Sequence, residues 1–90
     1  MAEEIDNLRQ KINEIDKKII ELLKDRFVVV KNIGNYKKIN GLKVKDLKRE
    51  KEVIDRVVEK AKEQGIKDIE EIKQIYKSMM KSCRNLQEKN

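Results

Sequence analysis

The 90-residue sequence has no histidine, proline or tryptophan, and it has only one cysteine, three glycines, one phenylalanine and two tyrosines. Without histidine and with a single cysteine, neither a zinc site nor a Ser-His-Asp or Cys-His arrangement can be assembled. The lone Cys83 also excludes an intrachain disulfide and argues against a secreted disulfide scaffold. Because the three glycines are isolated, no glycine-rich phosphate loop is present.

Long hydrophobic runs are also missing. The longest, FVVV at 27–30, is far too short to span a bilayer, so no membrane association is expected. The start, MAEEIDNLRQ, is acidic and polar, unlike a signal peptide. These features predict a soluble protein with a cytoplasmic location.

Charged residues are abundant, making up 44% of the chain with a formal net charge of +6. Such a balance suits an anionic ligand, a nucleic acid or a membrane surface. Acids are interspersed with the lysines throughout, whereas a nucleic-acid reader usually clusters basic and aromatic residues on one face. We therefore expect no nucleic-acid partner and assign most charges to a solvated, salt-bridged surface.

Apolar residues recur at helical spacing, which a disordered chain has no need to do. This stripe predicts one helix from about Glu3 to about Ile39, on the order of 55 Å long. A compact 90-residue globule is only roughly 30 Å across, so the helix would project beyond its own domain. An exposed apolar stripe favours pairing with a second copy, and we expect a homodimer. The stripe consists of Ile5, Leu8, Ile12, Ile15, Ile19, Leu22, Arg26, Val29, Ile33 and Tyr36.

Two more helices are predicted, which makes residues 1–90 a single all-α domain. Asn40 and Gly41 favour a helix end, and a second helix then runs from about Val44 or Asp46 to Gln64, before Gly65. A third helix, with Asp68 as a possible cap, reaches about residue 88. Gly34 lies inside the first helix and weakens it by roughly 1 kcal/mol relative to alanine if it is exposed.

Two cations interrupt the stripe of the first helix. Arg26 takes a stripe position, where a charge is costly to bury unless it is paired. Lys37 follows three turns later and about 20° around the axis, so both look toward one partly apolar surface. Arg9 lies about 100° from Arg26, where it is better placed to reach a partner chain.

The other helices also place polar groups where an apolar face should continue. Asp46, Arg49 and Glu50 form a polar face at the start of the second helix, where the helix dipole favours anions. Cys83 and Gln87 are four residues apart on the third helix and can share a cavity.

Each of these residues also has a structural interpretation. Arg26 could set the helix register, and Asp46 could be the N-cap of the second helix. Arg49 and Glu50 could form a solvated ion pair, and Cys83 could be a small core residue. Gln87 could simply be exposed. Their concurrence on three helices instead favours a cationic pocket for a small polyanion, with catalysis by positioning and electrostatics.

Four segments in this order and spacing resemble the all-helical chorismate mutases: LRQKINEIDKKIIELLKDR at 8–26, NIGNYK at 32–37, DLKREKEV at 46–53 and CRNLQ at 83–87. The resemblance implies an intertwined homodimer of three-helix subunits with two active sites. It also implies the rearrangement of chorismate to prephenate, in phenylalanine and tyrosine synthesis, without a cofactor or a covalent intermediate.

The resemblance also implies roles for residues of the first and third helices. Arg26 looks like the clamp on one substrate carboxylate, and Arg9 of the partner subunit looks like the clamp on the other. Lys37 and Gln87 resemble the pair that hydrogen-bonds the ether oxygen of the breaking bond.

For the second helix, Glu50 resembles the residue that receives the ring hydroxyl, with Asp46 beside it and Arg49 as a further arginine of the site. Cys83 stands where relatives usually have serine or asparagine, and a thiol is a poorer hydrogen-bond partner for a carboxylate.

Two alternative functions remain open at this point, and a nucleic-acid binder is a distant third. An isochorismate-pyruvate lyase of the same fold needs a similar cationic pocket. A non-enzymatic helical dimerisation module would use its polar stripe residues to set register. A nucleic-acid binder would show strongly salt-dependent binding.

Overall fold

The computed structural model describes residues 2–89, and within them three helices and no strand: α1 (Ala2–Ile39), α2 (Leu47–Glu63) and α3 (Ile69–Lys89). The predicted all-α, three-helix architecture is confirmed. None of the described helices is long and apolar enough to cross a membrane.

Local chemistry fixes the helix ends. Gly41 and Gly65 follow α1 and α2 with φ of 65° and 77°, a region that glycine enters without steric cost. After α1, the Leu42 and Gly41 N–H groups donate to the Lys37 and Lys38 carbonyls, at 2.7 and 3.4 Å. This pair of bonds is a Schellman motif, and the same pattern recurs at the end of α2. Both glycine stops predicted from the sequence are confirmed.

Helix α3 is the centre of the fold, because it packs against both α1 and α2. It runs parallel to the C-terminal half of α1, with Arg26 against Cys83 and Val30 against Gln87. It runs antiparallel to α2, so that the start of α2 faces the end of α3. Among the residues that the structure describes, the buried apolar side chains are few, namely Ala61, Met80 and Cys83. A core this small leaves much apolar surface uncovered.

The N-terminal half of α1 projects from this core. Every residue from 2 to 22 is exposed, and the molecule measures 59 × 25 × 16 Å with a radius of gyration of 16.7 Å. A compact chain of this length would have a radius of gyration of about 12 Å. The nine apolar residues of the predicted stripe are between 44% and 67% exposed. The projecting helix expected from the sequence is confirmed, with its apolar stripe uncovered.

Candidate functional site

A cleft of about 180 Å³ lies where the end of α1, the start of α2 and the end of α3 meet. Its apolar walls come from Val30, Ile33, Val44, Val53 and Met80. Its polar lining comprises four cations, two carboxylates, one amide and one thiol: Arg26, Lys37, Arg49, Arg84, Asp46, Glu50, Gln87 and Cys83. Seven of the eight predicted site residues are in this set, with Arg9 as the exception.

Both α1 cations are half-buried and held by one hydrogen bond each. The Arg26 guanidinium donates from Nη1 to the Cys83 sulfur at 2.9 Å. The Lys37 ammonium donates from Nζ to the Val44 carbonyl at 3.0 Å, across the turn after α1. A guanidinium has five N–H donors and an ammonium has three, so both keep donors for a ligand after these bonds are made.

Gln87 reaches the cleft because α3 approaches α1 very closely at Gly34. Its amide nitrogen donates to the Val30 carbonyl at 3.1 Å, one turn before Gly34. A Cβ placed on Gly34 would lie 2.8 Å from Cγ of Gln87 and 3.2 Å from its Cα. The cost expected for Gly34 in a helix applied only if this residue were exposed, and the structure shows that it is buried. Its missing side chain makes room for Gln87.

The start of α2 supplies the acidic groups. Asp46 is the N-cap of α2, and its Oδ1 accepts from the Arg49 backbone N–H at 3.0 Å. The N-cap interpretation is therefore confirmed, and Asp46 lines the cleft as well. The suggested Arg49–Glu50 pair is wrong: Arg49 pairs with Glu52 at 3.7 Å, whereas Glu50 pairs with Arg84 of α3 at 3.6 Å. Helix packing brings Arg84 to Glu50, and sequence proximity cannot reveal this.

Arg9 lies outside the cleft of its own chain. It is 17 residues before Arg26, roughly 25 Å along the helix axis. Its side chain is 76% exposed and stands 4.0 Å from Asp6 on the same helix. Within one chain, Arg9 cannot contact a ligand held by Arg26.

Two residues of the site were missed by sequence reasoning. Arg84 is four residues after Met80 and three before Gln87, and this helical spacing was a signal that could have identified it. Gly34 gave no such signal, because its role depends on which helix packs against it.

The arrangement suits a small dianion. Four cations against two carboxylates leave the cleft with a net charge of plus two. The partly used donors of Arg26, Lys37 and Gln87 come from two helices, and the apolar wall between them lowers the local dielectric. The cleft can therefore fix anionic groups and stabilise charge that develops during a reaction, without a nucleophile or a general base.

The family model and two relatives that match this chain all carry the name chorismate mutase. The family model for chorismate mutase type II matches residues 8–88. A chorismate mutase of Methanocaldococcus jannaschii is 35% identical over 66 residues, which is 73% of this chain and 67% of that protein. A bifunctional chorismate mutase/prephenate dehydratase of Aquifex aeolicus is 32% identical over 89 residues, which is 97% of this chain but 25% of that protein. No solved structure matches this chain significantly.

Proposed function

This chain belongs to the chorismate mutase type II family, and we propose that the cleft between its three helices binds chorismate and converts it to prephenate. The observation that carries this proposal is the convergence of Arg26, Lys37, Glu50 and Gln87 on one cleft, from all three helices. The substrate has two carboxylates, which complement the net charge of plus two in the lining.

Arg26 binds one substrate carboxylate in this proposal. A guanidinium can hold a carboxylate through two parallel hydrogen bonds, which fixes both position and orientation. The bond to Cys83 restricts the Arg26 side chain before substrate arrives. Holding the flexible enolpyruvyl arm over the ring removes much of the entropic barrier to the reactive conformer.

Lys37 and Gln87 act on the breaking bond. Negative charge grows on the ether oxygen as the bond breaks, so donors fixed beside it stabilise the transition state more than the ground state. Lys37 is held through Val44 and Gln87 through Val30, which limits the reorganisation needed during reaction. Removing one such donor typically lowers kcat by about 10²- to 10³-fold.

The acidic side of the cleft receives the ring hydroxyl. Glu50 is half-buried at the first turn of α2, and its carboxylate accepts a hydrogen bond from this hydroxyl. Asp46 lies beside it. Arg49 and Cys83 complete the substrate-binding surface.

A homodimer completes the site in this proposal. The uncovered stripe of α1 gives two copies a continuous apolar face on which to pair. If the long helices pair across the dimer, Arg9 of one subunit reaches the cleft of the other and binds the second carboxylate. The cytoplasmic location and the absence of a cofactor stay predictions.

Loss of chorismate absorbance, with prephenate identified as product, tests the activity. Arg26→Ala is expected to abolish turnover, whereas Arg56→Ala, at an exposed arginine of α2 outside the cleft, should leave it unchanged. Isochorismate is assayed in parallel. Release of pyruvate from isochorismate, without turnover of chorismate, would favour the lyase. No turnover by a folded wild type with either substrate would reject the enzymatic proposal.

Mixing two inactive variants tests the contribution of Arg9 across the dimer. A dimer of Arg9→Ala and Arg26→Ala chains has one site lacking both arginines and one site with both intact. Activity should therefore reappear on mixing and subunit exchange. A mixture that exchanges subunits but stays inactive would show that Arg9 does not act in the partner's site.

A further inference from the structure

Arg84 is a cleft residue without an assigned role, and its surroundings differ from those of the surface charges. The ion pairs Asp6–Arg9, Lys51–Asp55 and Lys60–Glu63 each lie within one helix at three- or four-residue spacing, with side chains at least half exposed. Such pairs contribute little to stability. Arg84 instead joins α3 to Glu50 of α2, and the two side chains are only 30% and 24% exposed.

The carboxylate of Glu50 creates an electrostatic problem for this cleft. A half-buried anion repels a dianionic ligand, and the low local dielectric strengthens that repulsion. Arg84 counters it, because its Nη1 lies 3.6 Å from Glu50 Oε2. Without Arg84, the net charge of the cleft lining falls from plus two to plus one.

We infer that Arg84 is a positioning residue, which holds the Glu50 carboxylate in place and neutralises it so that the cleft accepts a dianionic substrate. This inference rests on the proposed function. Nη1 approaches a single oxygen of Glu50 at a distance beyond a good hydrogen bond, so Glu50 keeps acceptor capacity for a substrate hydroxyl.

The inference predicts which kinetic constant responds. Neither the two carboxylates nor the ring hydroxyl of chorismate changes in the rearrangement, so Arg84 affects the ground state and the transition state alike. Removing an interaction of this uniform kind raises KM and leaves kcat nearly unchanged. The expected pattern is therefore opposite to that for Lys37 and Gln87, whose loss lowers kcat.

The experiment compares Arg84→Gln, Arg84→Lys, Glu50→Gln and the Arg84→Gln/Glu50→Gln double variant. Lys73→Gln is the matched control, since it removes the same charge from α3 at a lysine that pairs with Glu70 and does not line the cleft. Arg84→Gln should raise KM about tenfold with kcat within threefold of wild type. Arg84→Lys should recover most of the affinity, because an ammonium can also pair with Glu50.

The double variant separates positioning from a general structural effect. In the Glu50→Gln background, Arg84→Gln should change KM by less than about threefold, because the carboxylate that it balances is gone. The inference would be overturned if Arg84→Gln raised KM by the same factor in the Glu50→Gln background as in the wild type. It would also be overturned if Arg84→Gln had the same kinetic constants as Lys73→Gln. An inactive wild type would instead overturn the proposed function, and this inference with it.

Discussion

Replacing Gly34 with alanine tests how the site is built, because it adds one methyl group on α1 against Gln87 of α3. The new Cβ would lie 2.8 Å from Cγ of Gln87, and ordinary contact begins at 3.4 Å. The Gln87 side chain must therefore move by about 0.6 Å. Rotation of the side chain cannot relieve the contact fully, since the Cα of Gln87 is itself only 3.2 Å away.

This displacement is expected to lower kcat by about 10- to 100-fold. A misplacement of 1 Å in a catalytic group can reduce the rate about 100-fold, and loss of a charge-stabilising donor has an effect of similar size. The free energy of unfolding should fall by about 2 kcal/mol at most. Alanine favours a helix over glycine by about 1 kcal/mol, which offsets part of the roughly 1–3 kcal/mol cost of overpacking.

Steady-state kinetics with chorismate and thermal unfolding by circular dichroism measure the two effects. The control is Gly65→Ala, at a glycine with φ of 77° and open space around it, roughly 20 Å along α2 from Glu50. It should lower the unfolding temperature while kcat stays unchanged. In a Gln87→Ala background, Gly34→Ala should have little further effect on kcat. A folded Gly34→Ala protein with kcat within threefold of wild type would refute the assigned contact.

Three further outcomes are expected. Cys83→Ser should keep kcat and lower KM, because a hydroxyl is a better hydrogen-bond partner than a thiol for a substrate carboxylate; a KM that is unchanged or raised in initial-rate assays would contradict this. Ile12→Glu should give monomers in sedimentation velocity, whereas Lys17→Glu, about 140° around the helix, should remain dimeric; a dimeric Ile12→Glu would place the pairing face elsewhere. Met80→Ala should reduce the free energy of unfolding by about 2–5 kcal/mol, since Met80 is only 7% exposed. Denaturant titrations measure this loss, and a loss below about 1 kcal/mol would show that the core tolerates the cavity.

The helices and their ends were predictable because they depend on neighbours within a few residues. Apolar spacing indicated α1 across nearly its whole length, and Gly41 and Gly65 ended helices where their positive φ is needed. Asp46 capped α2 through a hydrogen bond three residues away. Polar groups that interrupt the apolar faces indicated seven residues that the structure brings to one cleft, and the family resemblance implied a role for each.

The partners of these residues depended on tertiary structure alone. Glu50 stands beside Arg49 in the sequence, yet its carboxylate faces Arg84, 34 residues away, because antiparallel packing of α2 on α3 brings those two helix ends together. Gly34 reads as a weak point in an isolated helix, yet it admits Gln87, 53 residues away. Local sequence specified each helix and its cap. Only the approach of one helix to another decided which charges are balanced and where the Gln87 amide is held.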